Sequence, residues 1–396
     1  MGTTEHRGQV ESVMRVGMVC PYSMSVPGGV QAQVLGLARE MRRMGIEVRV
    51  LAPCDGPPPA TFVSPLGNSL PTASNGSIAP LAPDPACALR TMRVLFDEQF
   101  DVLHLHEPFA PGPTMTAMLT HPSPVVATFH AAGESASYEW LGAPIRAAAK
   151  NIAHRVVVSK DALALVAAAV PGEYETLFNG VELDTYRRSP AHATDGPTIF
   201  FCGRHEERKG LDVLLQAMGG LDADVTLWIA SSGPDTERLR AQTAGDRRIH
   251  WLGRIDDEEK VARLKGADVF CAPSLHGESF GVVLIEAMAA GTCVVASALD
   301  GYRNVATDDV DSMLVPPGDV AALTAALRRA LSDRALRDRL TAAGDRRADD
   351  FSMTALAQRY VEIYREVAQP RRSRRHPLAP WLRVPRRTGR TRMMAE

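Results

Sequence analysis

The chain has 396 residues, 45% of them hydrophobic and 23% charged, a balance that predicts two or three soluble domains with real cores and excludes a disordered or fibrous chain. No apolar run approaches the ~18 residues of a membrane span, and the polar stretch Met1–Ser12 does not read as a signal peptide. The formal net charge of -2 hides an asymmetry: nine arginines between Arg371 and Arg392, against Glu396 alone, give the tail about +8 and leave the rest near -10.

The six cysteines form no CxxC pair and no metal spacing. Four lie in or beside apolar strand-like runs, so they are expected to be reduced core thiols of a cytosolic protein.

Residues 1–13 show no periodicity, and Met14, just before the first strand, is an alternative start to Met1. The strand Arg15–Cys20 is followed by PYSMSVPGG (Pro21–Gly29) and a helix over Val30–Met44 with Val30, Val34, Leu37 and Met41 on one face. Gly45 ends it, and Glu47–Ala52 is the next strand. This is a nucleotide-fold half-unit without GxGxxG, in which Gly28 and Gly29 would let a ligand approach the backbone. Residues 55–85, rich in Pro, Gly and Ser, read as a mobile surface region with extended pieces at Thr61–Ser64 and Ser77–Ala79. A helix over Ala86–Glu98 precedes three apolar runs, Asp101–His106, Pro124–His130 and Arg155–Ser159, typical of buried parallel strands. His106-Glu107 and His130 stand at strand ends, where open parallel sheets bind ligands.

Asn179-Gly180 and Asp184–Pro197 read as a turn and linker, with the domain boundary near 185–197. A second strand–helix series then runs from Thr198 to Ser297, and helices follow near Val320–Leu331, Arg334–Ala343 and Met353–Val367. The alternation predicts α/β architecture: two doubly wound, Rossmann-like domains over 14–190 and 196–350. The two would face each other across a cleft, with the helix 353–368 packing back on the first. Residues 1–13 and the Arg-rich 370–396 are expected to be disordered.

Two motifs carry chemistry. GESFGVVLIEAMAAG (Gly277–Gly291) sets an apolar helix pattern directly after a Gly-rich turn, an arrangement whose amides and dipole suit phosphate. Its carboxylates Glu278 and Glu286 would lie ~12 Å apart along the axis at 1.5 Å per residue, a reach suited to the two ends of a nucleotide sugar. GRHEERKG (Gly203–Gly210) puts Arg204 and Lys209 on a strand-to-helix loop in a way that suits a diphosphate; the alternative for this segment is a solvated charged loop containing Glu206, Glu207 and Arg208.

The pairing of GR-x4-KG with GESFG-x4-EAMAAG resembles the retaining glycosyltransferases of the GT-B fold. CPYS-x3-PGGVQ, NGS (Asn75–Ser77), FDVLHLHEP (Phe100–Pro108) and VVATFH (Val125–His130) further resemble the actinobacterial phosphatidylinositol mannosyltransferases, over about Met14–Val367. The resemblance implies that 14–190 is the acceptor-side domain and 196–350 the nucleotide-sugar-binding one, and that Arg204 and Lys209 hold the diphosphate and stabilise the departing phosphate. It implies that Glu278 contacts donor hexose hydroxyls, Glu286 the ribose, and that Gly29 lies under the diphosphate. His130 would face the hexose at the reacting centre, and Ser279, Phe280 and Gly281 would line the donor site. Tyr22 and Gln31 fall on the acceptor side. Asp257 and Lys260 match positions that read the base, where a carboxylate suits guanine's adjacent N–H donors; Asp257 is alternatively a helix N-cap. The expected donor is therefore GDP-mannose, with attack on the same face, the leaving phosphate taking the acceptor's proton, and no metal or other cofactor required.

The departures from that family fall on the acceptor side. The helix near Ala86–Glu98 keeps only Arg90 and Arg93 of a basic run, residues 131–137 read AAGESAS without Lys, and Phe109 follows HEP where a polar residue is usual. The acceptor is expected to be an inositol phospholipid or a related hydroxyl compound, reached by a cytoplasmic enzyme peripheral to the inner face of the plasma membrane. The Arg-rich tail would supply the attraction to an anionic surface. Three alternatives remain at this point: a UDP-sugar enzyme with a soluble acceptor, a non-catalytic nucleotide-sugar binder, and a nucleic-acid binder acting through the tail.

Overall fold

The computed structural model describes residues 13–74, 77–131, 143–278 and 280–368. Val, Ile and Leu runs buried on both faces build two parallel sheets. The first domain contributes β1 (Arg15–Val19), β2 (Glu47–Ala52), β3 (Val63–Pro65), the antiparallel hairpin β4 (Leu70–Ser74) and β5 (Ser77–Leu81), β6 (Val102–His106), β7 (Val125–Phe129), β8 (Ile152–Val157) and β9 (Glu175–Thr176). All but the hairpin form one seven-stranded sheet in the order β3-β2-β1-β6-β7-β8-β9. The second domain supplies β10 (Thr198–Cys202), β11 (Thr226–Ala230), β12 (Ile249–Gly253), β13 (Val269–Ala272), β14 (Cys293–Ser297) and β15 (Met313–Val315), in the order β12-β11-β10-β13-β14-β15. Each sheet carries a separate apolar cluster on either face.

In both sheets the strand order reverses once, between β1 and β6 and between β10 and β13. A reversal leaves a crevice beyond the carboxyl ends of the two strands, because their following helices go to opposite faces. The loops after those strands hold Gly28-Gly29, His106-Glu107, Arg204–Lys209 and Pro273–Gly281.

The chain crosses between the domains twice, side by side. Val181 N–H donates to Phe351 O at 2.8 Å, and Met353 N–H donates to Val181 O at 2.9 Å. The second crossing leads into the helix Met353–Val367, which packs on the helix Gly29–Arg43 and buries Met353, Ala357, Tyr360, Val361, Ile363 and Tyr364 in the first domain's core.

Two expectations need correction. Residues 55–85 are built into the fold: β3 pairs parallel with β2, and Leu66, Leu81 and Ala82 are buried. Pro and Gly obscure that pattern in sequence, and the Asp55 carboxylate staples the region by accepting from Ser23 Oγ at 2.6 Å and Ser69 N–H at 2.6 Å. The linker after Asp184 is also partly structure, since Leu183–Arg188 is a helix whose Tyr186 is buried in the second domain's core. All six cysteines are free and five are buried.

Candidate active site

The loop after β10 and the loop after β13 meet at Gly210. Its φ of +66° is left-handed, and a Cβ there would stand 1.9 Å from Pro273 O, so this position needs glycine. The close approach brings Lys209 Nζ to 2.5 Å from Glu278 Oε1, which also accepts from Ser274 Oγ at 3.0 Å. Ser274 is held in turn by the buried Tyr302 hydroxyl at 3.0 Å. Arg208, read from sequence as part of a solvated loop, lies with Nη1 3.5 Å from the same carboxylate oxygen. Arg204 is more than half exposed, with its Nε 3.6 Å from Glu206. Two cations therefore converge on Glu278, and a third stands open at the loop's other end.

The helix Val282–Ala290 starts at Gly281 with no side chain capping its N-terminus. Gly281 has φ +93°, and a Cβ would meet Tyr302 at 2.8 Å, so the turn is held tight against the tyrosine. Phe280 corrects the sequence reading. Its side chain is 2% exposed and stacks on Phe178 with centroids 5.2 Å apart, so only its backbone is available to a donor. Ser279 lies outside the described residues.

At the far end of that helix, Glu286 Oε1 accepts from Tyr186 OH at 2.8 Å and from Lys260 Nζ at 3.0 Å. Both donors sit on one carboxylate oxygen, which orients the other away from them. Burial alone would lower the Lys260 ammonium's pKa, but the charge and hydrogen bond of Glu286, together with the Asp257 charge, offset it and the net shift is upward. Lys260 is thus a holder of Glu286 and not a free reader of a base. Asp257 is not the N-cap of its helix. Asp256 fills that role by accepting from Glu259 N–H, and the Asp257 side chain is fully exposed. Tyr186 lies a hundred residues from Glu286 on the crossing segment, and nothing local in sequence marks the pair. Tyr186→Phe is expected to raise the KM for the donor about two- to tenfold, one hydrogen bond's worth, with little change in Tm. Unchanged donor kinetics would mean that the hydroxyl does not position Glu286.

In the first domain, His130 follows β7. The backbone N–H groups of His130 and Ala131 both donate to the Glu107 carboxylate. Glu107 itself has φ +50°, a strained conformation that turns the chain after β6. His130 Nε2 lies 3.0 Å from His106 Nδ1. Burial lowers the pKa of His130 to about 4 and that of His104 to about 3, and it puts His106 well below the ordinary value, so all three are neutral at pH 7.

Gly29 begins the helix Gly29–Arg43, and a Cβ there would meet nothing within 4 Å, which leaves open space over the loop. Gln31 departs from its acceptor-side assignment. It is 7% exposed, and its amide donates to Val26 O at 3.1 Å, tying down the loop ahead of it. Tyr22 is partly buried, and burial followed by the Glu107 charge pushes its phenol pKa up, so it stays a hydroxyl. Residues 132–137 of AAGESAS lie outside the described residues. Among the described residues, no group of three or more His, Cys, Asp or Glu could hold a metal ion.

The imidazoles have a consequence for stability. His104 and His106 titrate near 6.5 when unfolded and well below that when folded. Between those values the unfolded chain binds more protons, so stability is full above about pH 6.5 and falls as the pH drops. Each buried ring contributes about 1.4 kcal/mol per pH unit. Urea unfolding at pH 7.5 and pH 5.5 is expected to show the loss; equal midpoints would contradict it.

Phe178 joins the two halves. It lines a small cavity together with His106, His130, Thr128 and Tyr360, and it also stacks on Phe280, two residues from Glu278, and meets Phe351 edge-on. Phe178 thus bridges the first sheet's strand ends and the loop that carries the second domain's carboxylate.

Residues 27–185 match the family Glycosyltransferase Family 4, and residues 183–347 match Glycosyl transferases group 1. Among solved structures, sucrose-phosphate synthase from Thermosynechococcus elongatus aligns with a TM-score of 0.70 at 21% identity, over 89% of this chain and 98% of its own. Anabaena HepE in complex with UDP and glucose aligns with a TM-score of 0.68 at 16% identity, over 89% of this chain and 100% of its own. Two parallel sheets, their paired switch points and both family matches define a glycosyltransferase of the GT-B fold. The phosphatidyl-myo-inositol mannosyltransferase of Mycobacterium leprae is 43% identical over 90% of this chain and 97% of its own length. That of Propionibacterium freudenreichii is 34% identical over 90% and 96%. Within its class, the chain belongs to the phosphatidyl-myo-inositol mannosyltransferase family.

Proposed function

We propose that this protein transfers α-mannose from GDP-mannose, with retention, to a hydroxyl of an inositol phospholipid or a related acceptor. The observation that carries the reading is the contact of Lys209 with Glu278 across the β10–β13 switch point. It sets a cation for the diphosphate beside a carboxylate for sugar hydroxyls, the two needs of a nucleotide sugar. Arg204 and Lys209 stabilise the departing phosphate, which takes the acceptor's proton. Glu286, held on one side by Tyr186 and Lys260, accepts from the ribose. Asp257, free of capping duty and fully exposed, supports guanine as the base.

The acceptor side supports a looser statement. On the helix Pro85–Glu98, Arg93 pairs at 3.4 Å with Asp97 and the Arg90 guanidinium donates to Leu66 O, and with Asp97 and Glu98 balancing the two arginines the helix offers an anionic surface no net positive charge. Phe109 is buried against Phe129. We assign the attraction to an anionic inner membrane face to Arg371–Arg392. No helix among the described residues is long and apolar enough to cross a membrane.

The test is incubation with radiolabelled GDP-mannose and fractionated lipid and polar extracts in excess chelator, with thermal shift by GDP against UDP alongside. Label in an inositol lipid, stabilisation by GDP and indifference to chelator are expected. Stabilisation by UDP alone, or turnover that stops with chelator and returns with magnesium, would contradict the reading. Anionic vesicles should pull down the full chain and lose it when residues 371–396 are removed.

A further inference from the structure

The imidazole ladder on the first sheet is larger than the donor reading requires. His104 and His106 point the same way from β6, with ring centroids 4.2 Å apart, and His106 stacks on His130 at 5.3 Å. His104 is pinned at both nitrogens, Nδ1 2.6 Å from Tyr364 OH and Nε2 2.7 Å from Thr128 Oγ1. Thr128 Oγ1 is in turn 2.8 Å from Tyr360 OH. Two tyrosines of the helix Met353–Val367 therefore wedge this end of the sheet, and His106 beside His104 is 2% exposed.

The contact between His106 Nδ1 and His130 Nε2 at 3.0 Å needs one proton between two neutral rings. Suppose His130 donates from Nε2. The proton of His106 then sits on its own Nε2, which is buried and meets no partner among the described residues. A buried unpaired N–H forfeits a full hydrogen bond. Suppose instead that His106 donates from Nδ1. The orphan is then a bare ring nitrogen, an acceptor, and unpaired acceptors are the more common and milder defect. The second arrangement places the proton of His130 on Nδ1, the nitrogen left for a ligand.

We propose that His106 is a positioning residue that fixes His130 as its Nδ1–H tautomer, so that His130 meets the substrate as a neutral N–H donor and not as a base. This rests on the reading above in which His130 faces the donor hexose. The ligand atom it takes is then a lone-pair oxygen of the sugar. A second-sphere group that sets a tautomer is often as necessary as the group it serves.

Long-range nitrogen–proton NMR on imidazole-labelled protein reads the tautomer directly, with the His130 signals assigned by their loss in His130→Gln. The expected result in the wild-type protein is a protonated Nδ1 and a bare Nε2 on His130; the reverse pattern overturns the proposal, whatever the sugar donor proves to be. In the variants, His106→Leu is expected to mix the tautomers and lower kcat about tenfold at a nearly unchanged KM. His106→Asn, which keeps an N–H near the position of Nδ1, should restore both. Equal kcat in wild type, His106→Leu and His106→Asn would also overturn it. Failure of the donor reading shows separately, as absent GDP binding by the wild-type protein.

Discussion

Lys209→Ala is expected to lower kcat/KM for the nucleotide-sugar donor by about a thousandfold while the protein stays folded. Lys209 Nζ is the nearest cation to Glu278 and sits in the loop that closes the β10–β13 switch point. A fixed positive charge where phosphate charge develops is commonly worth ~10²–10³ in rate. Its loss also leaves Glu278 with only Ser274 and the more distant Arg208, so the carboxylate is both less neutralised and less held. The variant should still unfold at nearly the wild-type temperature, because Lys209 lies on the site's surface and not in a core. Steady-state kinetics decide: a fall smaller than tenfold would move the phosphate elsewhere.

Gly210→Ala is expected to damage the same site without touching a charge. The new methyl would lie 1.9 Å from Pro273 O at a left-handed φ of +66°, and the obstacle is backbone, which cannot swing aside. The left-handed conformation alone is worth about 1–2 kcal/mol against alanine, and relieving the clash adds to it. A drop of about 3 kcal/mol would lower Tm by roughly 6–12 °C in a domain of this size, with donor binding lost as Lys209 and Glu278 separate. Gly29→Ala is the counterpart. Its Cβ meets nothing, and alanine favours the first turn of a helix, so Tm should hold. Donor affinity should nevertheless fall, because the methyl occupies the space the diphosphate requires. If Gly29→Ala leaves both quantities unchanged, the first domain's loop does not lie against the donor.

Much of this was readable from residues alone, for physical reasons. Parallel strands buried on both faces are nearly pure apolar runs, so β6, β7, β13 and β14 stand out, and ligand groups cluster at their carboxyl ends. Glu278, Lys209 and the turn before Val282 lie in such positions. What stayed hidden depended on long-range contact. Tyr186 and Glu286 meet only because the crossing segment folds onto the second domain. Arg208 sits among charges that resemble a solvated loop until the β13 loop comes beside it. Phe280 and Gln31 were assigned to the ligand by their place in a motif, whereas packing assigns their side chains to the protein. In residues 55–85, Pro and Gly mask an edge strand whose burial depends on its neighbours.

The most direct measurement of the central claim is a crystal structure of the protein with GDP. The account predicts the diphosphate between Gly28-Gly29 and the Arg204–Lys209 loop, the ribose on Glu286 and the guanine near Asp257. Nucleotide bound away from both switch points, or a diphosphate that touches neither Arg204 nor Lys209, would contradict it.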